Sequence, residues 1–438
     1  MEKPGLYSQL YKCVEKTMKH SFISLKRGNS FKMIKREEGF SLVELLITMV
    51  VFVLILAATS NTFIDLLKDF KKQSALSETN IEGAVGLETL QRDIASAGYG
   101  LPWNVDGAAW TDLTAAGSTY VEAVSDPQGA GEPPDPASFN DGSPASALPV
   151  PANTRRAPRA LASGNNTGVD FSAVAVVGES SDYLVIKAIN VATNVTSQKW
   201  THLKAGDAKT GWTPQCENVN RDSSCNTDNA VKVIVINPGG ASGSQRLLKV
   251  DAGKIFFKAY SATADLDPDT GSTDVYVLYG VSPGTDLRMP FNRADYFIEE
   301  LNMPSTCAPN TGVLYKAVVN HSDGKLTKIP VLDCVADMQV VFRRDTNTDG
   351  IIDTESEDIS TLDATTIRDQ VKEVRVYILA HEGQRDAGYT YRSTDATLGD
   401  TQIRVGEAGI GGRIFDLGTN INYRWKVYTL VIKMENLK

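Results

Sequence analysis

The sequence predicts an α+β protein, with one very long N-terminal helix followed by a β-rich head. Three observations predict it. Residues 40–63 form a run of 24 residues containing one charge, Glu44, and no Gly or Pro. Apolar residues then continue at helical spacing to Ala97. From about residue 169 the pattern turns to short alternating stretches enriched in Val, Ile and Tyr. Runs of strands after a single helix point to α+β rather than to alternating βαβ units.

The first element is the apolar run Phe40–Phe63. As a helix it would extend roughly 36 Å, enough to cross a bilayer core of about 30 Å. Lys32, Lys35 and Arg36 lie on its N-terminal side, which puts that side in the cytoplasm and the rest of the chain across the membrane. Glu44 stands about four residues inside the run, where a carboxylate costs a few kcal/mol unless it is paired. It either stays wet near the interface or meets a cation at its own depth. A cut between Gly39 and Phe40 would create such a cation, a new α-amino group.

The stretch Gly39-Phe40-Ser41-Leu42-Val43-Glu44-Leu45-Leu46 resembles the leader-peptidase site of type IV pilins and type II secretion pseudopilins. The resemblance implies cleavage after Gly39, methylation of Phe40, and a role for Glu44 in docking each subunit into a filament. Residues 1–39 would be the leader. They are long for one, and Met33 would begin a seven-residue leader ending at Gly39; a true N-terminal extension is the alternative.

Residues 40–99 are expected to form the transmembrane and spine helix. Leu67, Phe70, Leu87, Leu90, Ile94 and Ala97 share its apolar spacing. Gly83 and Gly86 weaken its middle by up to about 1 kcal/mol each, and Ser60-Asn61-Thr62 is the expected place for it to bend or loosen. Its end, Leu90-Gln91-Arg92-Asp93-Ile94-Ala95-Ser96-Ala97-Gly98-Tyr99-Gly100, resembles the signature of PilW-type minor pilins. Gly98 suits a C-cap, and Tyr99 can fold back on the last turn. Arg92 and Asp93 point to different sides and are read as anchors of helix to head, not as catalytic groups.

Residues 100–168 are rich in Ala, Gly, Pro, Ser and Asp and read as an irregular insertion; Arg155, Arg156 and Arg159 in it read as solvated loop charge. Residues 169–438 form the β-rich head. Expected strands are Phe171–Val177, Tyr183–Ile189, Val231–Ile236, Lys254–Tyr260, Val275–Tyr279, Val313–Val319, Met338–Arg343, Val371–Leu379 and Arg424–Val431. Asp323-Gly324 marks a hairpin. The last two strands also resemble late strands of the PilW family, which implies a helical spine on a mainly antiparallel sheet.

Charge and cysteines bound the function. Residues 1–39 carry nine Lys/Arg and four Asp/Glu, a balance of +5; the remaining residues carry 35 and 49, a balance of −14. An acidic exported part argues against nonspecific nucleic-acid binding. Cys13 lies in the leader. Cys216, Cys225, Cys307 and Cys334 can pair in three ways, of which Cys216–Cys225 with Cys307–Cys334 is the simplest; free buried thiols are the other reading. No CxxC pair and only four His argue against a zinc enzyme. The motifs of serine hydrolases, zinc proteases and P-loop NTPases are absent, so no enzyme is expected.

One loop carries a metal signature, Asp345-Thr346-Asn347-Thr348-Asp349-Gly350-Ile351-Ile352-Asp353. Oxygen side chains at first, third, fifth and ninth positions with Gly at the sixth suit Ca²⁺, a hard cation that takes six to eight oxygens. Asp345, Asn347, Asp349 and the Ile351 carbonyl would be direct ligands, and Asp353 a direct or water-mediated one. The twelfth position is Ser356 rather than Glu, so Glu355, Glu357 or Asp358 would have to close the site; a metal-free Asx/Gly turn is the alternative. The similar run Asp265–Asp274 reads as an acidic turn.

The resemblance implies a structural minor pilin acting in pilus assembly, at the tip or as primer. Its partners would be other minor pilins, the major pilin, the prepilin peptidase and the inner-membrane assembly platform. It would sit in the inner membrane, N-terminus cytoplasmic, before entering the extracellular filament. A type II secretion pseudopilin of the J-like kind and a calcium-dependent adhesive head on a pilin stem are the rival readings.

Overall fold

The computed structural model describes residues 41–105, 120–126, 132–141, 158–174, 179–207, 231–239, 245–251, 255–260, 265–409 and 411–437, without the side chains of residues 65, 72 and 75–82. Helix α1 (Leu42–Ala95) is unbroken through Ser60-Asn61-Thr62, the expected weak point. There the Thr62 hydroxyl donates back to the Ala58 carbonyl. The described chain divides into two units after Leu67.

In the first unit every described side chain is exposed, and the helical stretch Leu42–Lys71 that begins there is long and apolar enough to cross a membrane.

In the second unit, the described strands in chain order are β1 (Asn104–Val105), β2 (Leu161–Gly164), β3 (Tyr183–Ala188), β4 (Trp200–Lys204), β5 (Lys232–Asn237), β6 (Leu247–Leu248), β7 (Lys258–Ala259) and β8 (Val275–Ser282). There follow β9 (Asn292–Glu299), β10 (Gly312–Val319), β11 (Leu326–Arg344), β12 (Thr354–Ser356), β13 (Val371–Glu382), β14 (Gln402–Glu407), β15 (Gly411–Asp416) and β16 (Arg424–Lys433), with a short helix α2 (Ala364–Gln370) before β13. The main sheet has the order β16-β13-β11-β10-β9-β3-β2 with β12 on β11, and its pairs are antiparallel. β3 pairs directly with β9, Leu184 opposite Tyr296, although about a hundred residues separate them. That excursion supplies β4 to β8 of a second sheet, β1-β6-β5-β8-β4 with β7 on β5, which β1 joins from before β2, around its own core of Val233, Val235, Tyr260, Leu266 and Leu278.

The main sheet is covered on both faces, and strand alternation sorts its residues between them. One face takes the second half of α1. Leu87, Leu90, Ile94 and Ala97 are buried in the same cluster as Ala294, Tyr296, Ile298 and Leu314. Full burial of Leu90 and Ile94 stabilises by about 1.5–3 kcal/mol each. Leu67 and Phe70, which share the apolar spacing, are exposed. The two helix glycines have a purpose that propensity hides. A Cβ on Gly86 would lie 1.9 Å from the Val331 carbonyl oxygen, and one on Gly83 would lie 3.2 Å from Leu332. The helix backbone thus touches β11. Just past the helix end Gly98 takes the left-handed φ +84° that suits a cap residue, but its N–H donates to the Lys187 carbonyl of β3 rather than back to the helix. Tyr99 does not fold back on the helix alone; its ring meets Tyr279 edge-on at 5.5 Å.

A polar contact fixes the register of helix on sheet. Tyr296 and Lys316 face each other across β9 and β10, and both reach Asp93. The Tyr296 hydroxyl donates to Asp93 Oδ2 at 2.8 Å, and the Lys316 ammonium pairs with the same carboxylate. Arg92, one residue earlier, is exposed. Burial pushes the Asp93 carboxyl up, and Lys316 only partly pulls it back.

The other face of the sheet is covered by the segment expected to be a loose insertion. Its described parts are irregular but pinned. Phe139 stacks on Tyr183 at 4.5 Å, and Tyr183 on Phe297 at 5.2 Å. Beside this stack lies a charge network. Lys187 bonds Glu122 at 2.8 Å and Asp141 at 2.6 Å, while Arg293 holds Asp295 at 2.7 Å and Glu122 at 3.1 Å. Arg159 completes it on Asp141 at 2.6 Å. Three acids meet three bases, so the buried cluster is neutral. Burial alone would raise the Asp141 carboxyl, but Lys187 and Arg159 outweigh it and hold it well below the usual range. Arg159 is therefore a buried anchor and not a solvated loop charge; Arg155 and Arg156 lie outside the described residues. The head sheet also begins earlier than residue 169, because β2 lies at Leu161–Gly164. The expected strand Phe171–Val177 is not one where it is described, and only Lys258–Ala259 of Lys254–Tyr260 pairs as a strand.

Cys307 and Cys334 form a disulfide, with Cα atoms 5.0 Å apart. Closing a loop over a separation of 27 residues stabilises by roughly 3–4 kcal/mol in the chain-entropy account. Cys216 and Cys225 lie outside the described residues. Beside the disulfide, His381 Nε2 accepts the Ala308 N–H at 2.8 Å. His321 Nδ1 accepts the Arg288 N–H at 3.2 Å, and its Nε2 lies 3.1 Å from Asn292 Oδ1. Burial pushes both imidazoles down to about 4.

Two predictions follow from these contacts. In a solvated helix Gly86→Ala would stabilise by up to about 1 kcal/mol. Against the Val331 carbonyl it should instead destabilise by about 1–3 kcal/mol, read by denaturant unfolding; a stabilised variant would refute the close approach. The histidines have folded values below their unfolded value near 6.5. Their contribution is present above pH 6.5 and is lost as pH falls towards about 4, at most about 3 kcal/mol each. Asp337, pushed up to about 6 by burial, works in the opposite sense. His321→Gln should therefore lose less stability than the parent between pH 6.5 and 4.5; equal acid sensitivity would count against a neutral buried imidazole.

Candidate functional site

Two places carry candidate functional residues. The first is the start of α1. Gly39 and Phe40 lie outside the described residues, and Glu44 lies within them. Ser41 Oγ accepts the Glu44 N–H at 3.2 Å, and Glu44 Oε2 accepts the Ser41 N–H at 3.3 Å. This is a capping box, in which each side chain serves a helix-end donor of the other residue. The pattern Ser-x-x-Glu before an apolar run was there to be read in the sequence. A carboxylate in the first helical turn also meets the positive end of the helix dipole. Further along, the hydroxyls of Thr48, Thr59 and Thr62 donate to carbonyls three or four residues back, so they present no unsatisfied donor to an apolar surrounding. Among the described residues of the apolar stretch, Glu44 is the acid nearest the helix start.

The second place is the loop 345–353, which closes the hairpin of β11 and β12; Arg344 pairs with Thr354. Asp345 is buried at its base. Its carboxylate accepts the N–H of Asp349 at 3.1 Å and of Gly350 at 2.8 Å. Asn347 Oδ1 accepts the Asp349 N–H at 3.0 Å, and Asp349 Oδ1 accepts the Ile351 N–H at 2.8 Å. Gly350 takes φ +90°, and Thr348 φ +61°, so the chain coils around these three side chains. The structure thus brings Asp345, Asn347 and Asp349 together. Asp353 is turned towards Thr346, accepting from its N–H and hydroxyl, and these bonds hold its carboxyl below the usual value. Ile351 stands exposed at the tip. The residues that might close a cation site are engaged elsewhere. Glu355 pairs with Arg343, Glu357 accepts the Gly412 N–H, and Asp358 accepts from Ser360. In the run Asp265–Asp274, the Asp267 carboxylate accepts the Gly206 N–H and the Asp274 carboxylate an Asn237 amide bond, as expected of an acidic turn.

Comparison with known proteins bears on both ends of the chain. Residues 295–436 match the family described as Type IV Pilus-assembly protein W. Residues 34–60 match the prokaryotic N-terminal methylation motif. No curated protein and no solved structure matches the chain. The first match begins within β9 and runs past β16, which is the part of the sheet that carries Tyr296 and Lys316. The second covers Gly39, Phe40, Glu44 and most of the apolar run. A pilus-assembly match over the strands that grip the second half of α1, joined to a methylation motif at the start of that helix, supports a PilW-like minor pilin of the type IV class.

Proposed function

We propose that the chain is cut between Gly39 and Phe40 by a prepilin peptidase, methylated on Phe40, and held in the inner membrane with its N-terminus cytoplasmic. From there it enters a type IV filament at or near the tip, with other minor pilins and the major pilin as neighbours and the inner-membrane platform as the machine that loads it. The observation that carries this reading is Glu44, one acid in a run of 24 otherwise uncharged residues, four positions after Phe40. In a filament its carboxylate neutralises the α-amino group of an adjacent subunit, and the exposed apolar stripe meets neighbouring helices. The role is structural, and no catalytic constellation is assigned to the head. A head of this size suits a terminal position better than repeated stacking along a shaft.

We also propose Ca²⁺ for the loop 345–353, with Asp345, Asn347, Asp349 and the Ile351 carbonyl as ligands and Asp353 on the far side. The coil of Asp345, Asn347 and Asp349 around Gly350 supports it. The engagement of Glu355, Glu357 and Asp358 elsewhere makes it a weak site with water completing the shell.

Two experiments test these readings. Glu44→Lys should leave membrane insertion intact and reduce co-purification with filaments at least tenfold, with N-terminal sequencing of the parent showing methylated Phe40. Normal filament entry by the variant would refute the docking role. Loss of protein secretion with normal pili, on deletion of the gene, would move the chain to a type II secretion system. For the loop, Ca²⁺ at a hundred times its Kd should stabilise the parent by about 2.7 kcal/mol. Asp349→Ala should abolish the effect; an unchanged melting temperature across millimolar Ca²⁺ would remove the ion.

A further inference from the structure

Beside the contact of Gly86 with β11 a groove of about 510 Å³ opens along the helix. Val85 and Thr89 form one wall, and Ile329, Val331 and Leu332 the other. Val85 is 62% exposed, unlike Leu87 and Leu90 on the next face of the same turn. Lys316 reaches the groove but is already committed to Asp93. Asp333 stands at the lip and is half-buried. Burial pushes its carboxyl up, and no cation pairs with it among the described residues. The groove thus offers apolar walls and one unmet negative charge.

An acidic lip repels anionic lipid headgroups and selects a cation carried on an apolar surface. The chain's own helix displays that combination just beyond the apolar run, where Phe70 is exposed beside Lys71. We propose that this groove receives the spine helix of a neighbouring pilin-type subunit, an apolar side chain entering between Val85 and Val331 while a lysine or arginine of the same helix pairs with Asp333. The proposal rests on the pilin reading above and adds to it a specific contact surface outside the apolar run. Asp333 then has a reason to stand partly desolvated with no cation beside it among the described residues: its partner belongs to the next subunit.

The test places a photo-crosslinking residue, p-benzoylphenylalanine, at Val85 of the full chain in its own cells. The exposed position tolerates the change. The expected product is a cross-link to a peptide from another pilin-type spine helix that contains Lys or Arg. Asp333→Lys should lower its yield at least tenfold, and reversing the mapped partner's charge to Glu should restore it. If Asp333→Lys shifts thermal unfolding, Asp333→Asn replaces it, with a smaller loss expected. Cross-links only to lipid, or to a peptide outside a spine helix, overturn the proposal, as does an unchanged yield in the Asp333 variants. Processed protein that co-purifies with filaments yet gives no cross-link at Val85 overturns the groove contact and leaves the pilin reading standing. An unprocessed chain absent from filaments overturns both.

Discussion

The structure depends on the place where Asp93 of the helix meets Tyr296 and Lys316 of the sheet. Apolar burial alone would let α1 slide or rotate, because a stripe of Leu, Ile and Ala tolerates small shifts. A carboxylate buried to 2% exposure does not, since desolvation would cost several kcal/mol without its two partners. The raised Asp93 carboxyl shows that burial is not fully offset. In linkage terms its ionisation lowers stability as pH rises from the unfolded value through the folded one. The contact therefore contributes specificity of register more than net stability. Gly83 and Gly86 then become intelligible: with the helix end held at Asp93, the preceding turns come down on β11, and only a residue without Cβ fits beneath the Val331 carbonyl.

The same logic of alternation organises the opposite face. Tyr296 and Ala294 point to the helix, so Arg293, Asp295 and Phe297 must point away from it. A strand with Arg293 and Asp295 on one side would ordinarily expose that side. Here it is covered, and each buried charge has a partner, with Glu122 and Asp141 supplied by the irregular segment. That segment is held by ionic and aromatic contacts rather than by regular structure. The second sheet is a different kind of addition. It leaves the main sheet after β3 and returns at β9, which pairs with β3 as though nothing intervened. The part of the chain that matches the pilus-assembly family starts at this return.

Legibility in the sequence followed the range of the interactions. The spine helix, the Asp323-Gly324 hairpin with Gly324 at φ +78°, the left-handed turn at Gly98 and the Cys307–Cys334 pair were all readable, because each is fixed by local pattern or simple neighbour pairing. β9 was not. Its Asn-Arg-Ala-Asp start carries a guanidinium that Glu122 and Asn140, far along the chain, help to satisfy. Arg159 misleads for the same reason: its partner Asp141 lies 18 residues away, across a stretch with no periodic signal. The glycines of α1 read as weaknesses, since propensity cannot see the strand against them. The Ser41–Glu44 capping box was local and visible, but it was hidden behind a stronger question about why an acid stands in an apolar run.

That box changes the energetics of Glu44. An isolated carboxylate at this depth is a pure cost, and docking would only need to relieve it. A carboxylate that already accepts the Ser41 N–H and lies at the helix's positive end is partly satisfied before any partner arrives. The proposed cleavage after Gly39 would leave the Ser41 amide in place, so the cap would survive it. In the assembly reading, the amine of a neighbouring subunit must therefore either share Glu44 with Ser41 or displace it. A carboxylate has two oxygens and about four lone pairs, and Ser41 uses one. Sharing costs less than exchange, because the helix cap is kept while the second oxygen takes the ammonium. Glu44 can then serve the helix start and the subunit contact at once, which a cation-seeking acid in the middle of the run could not.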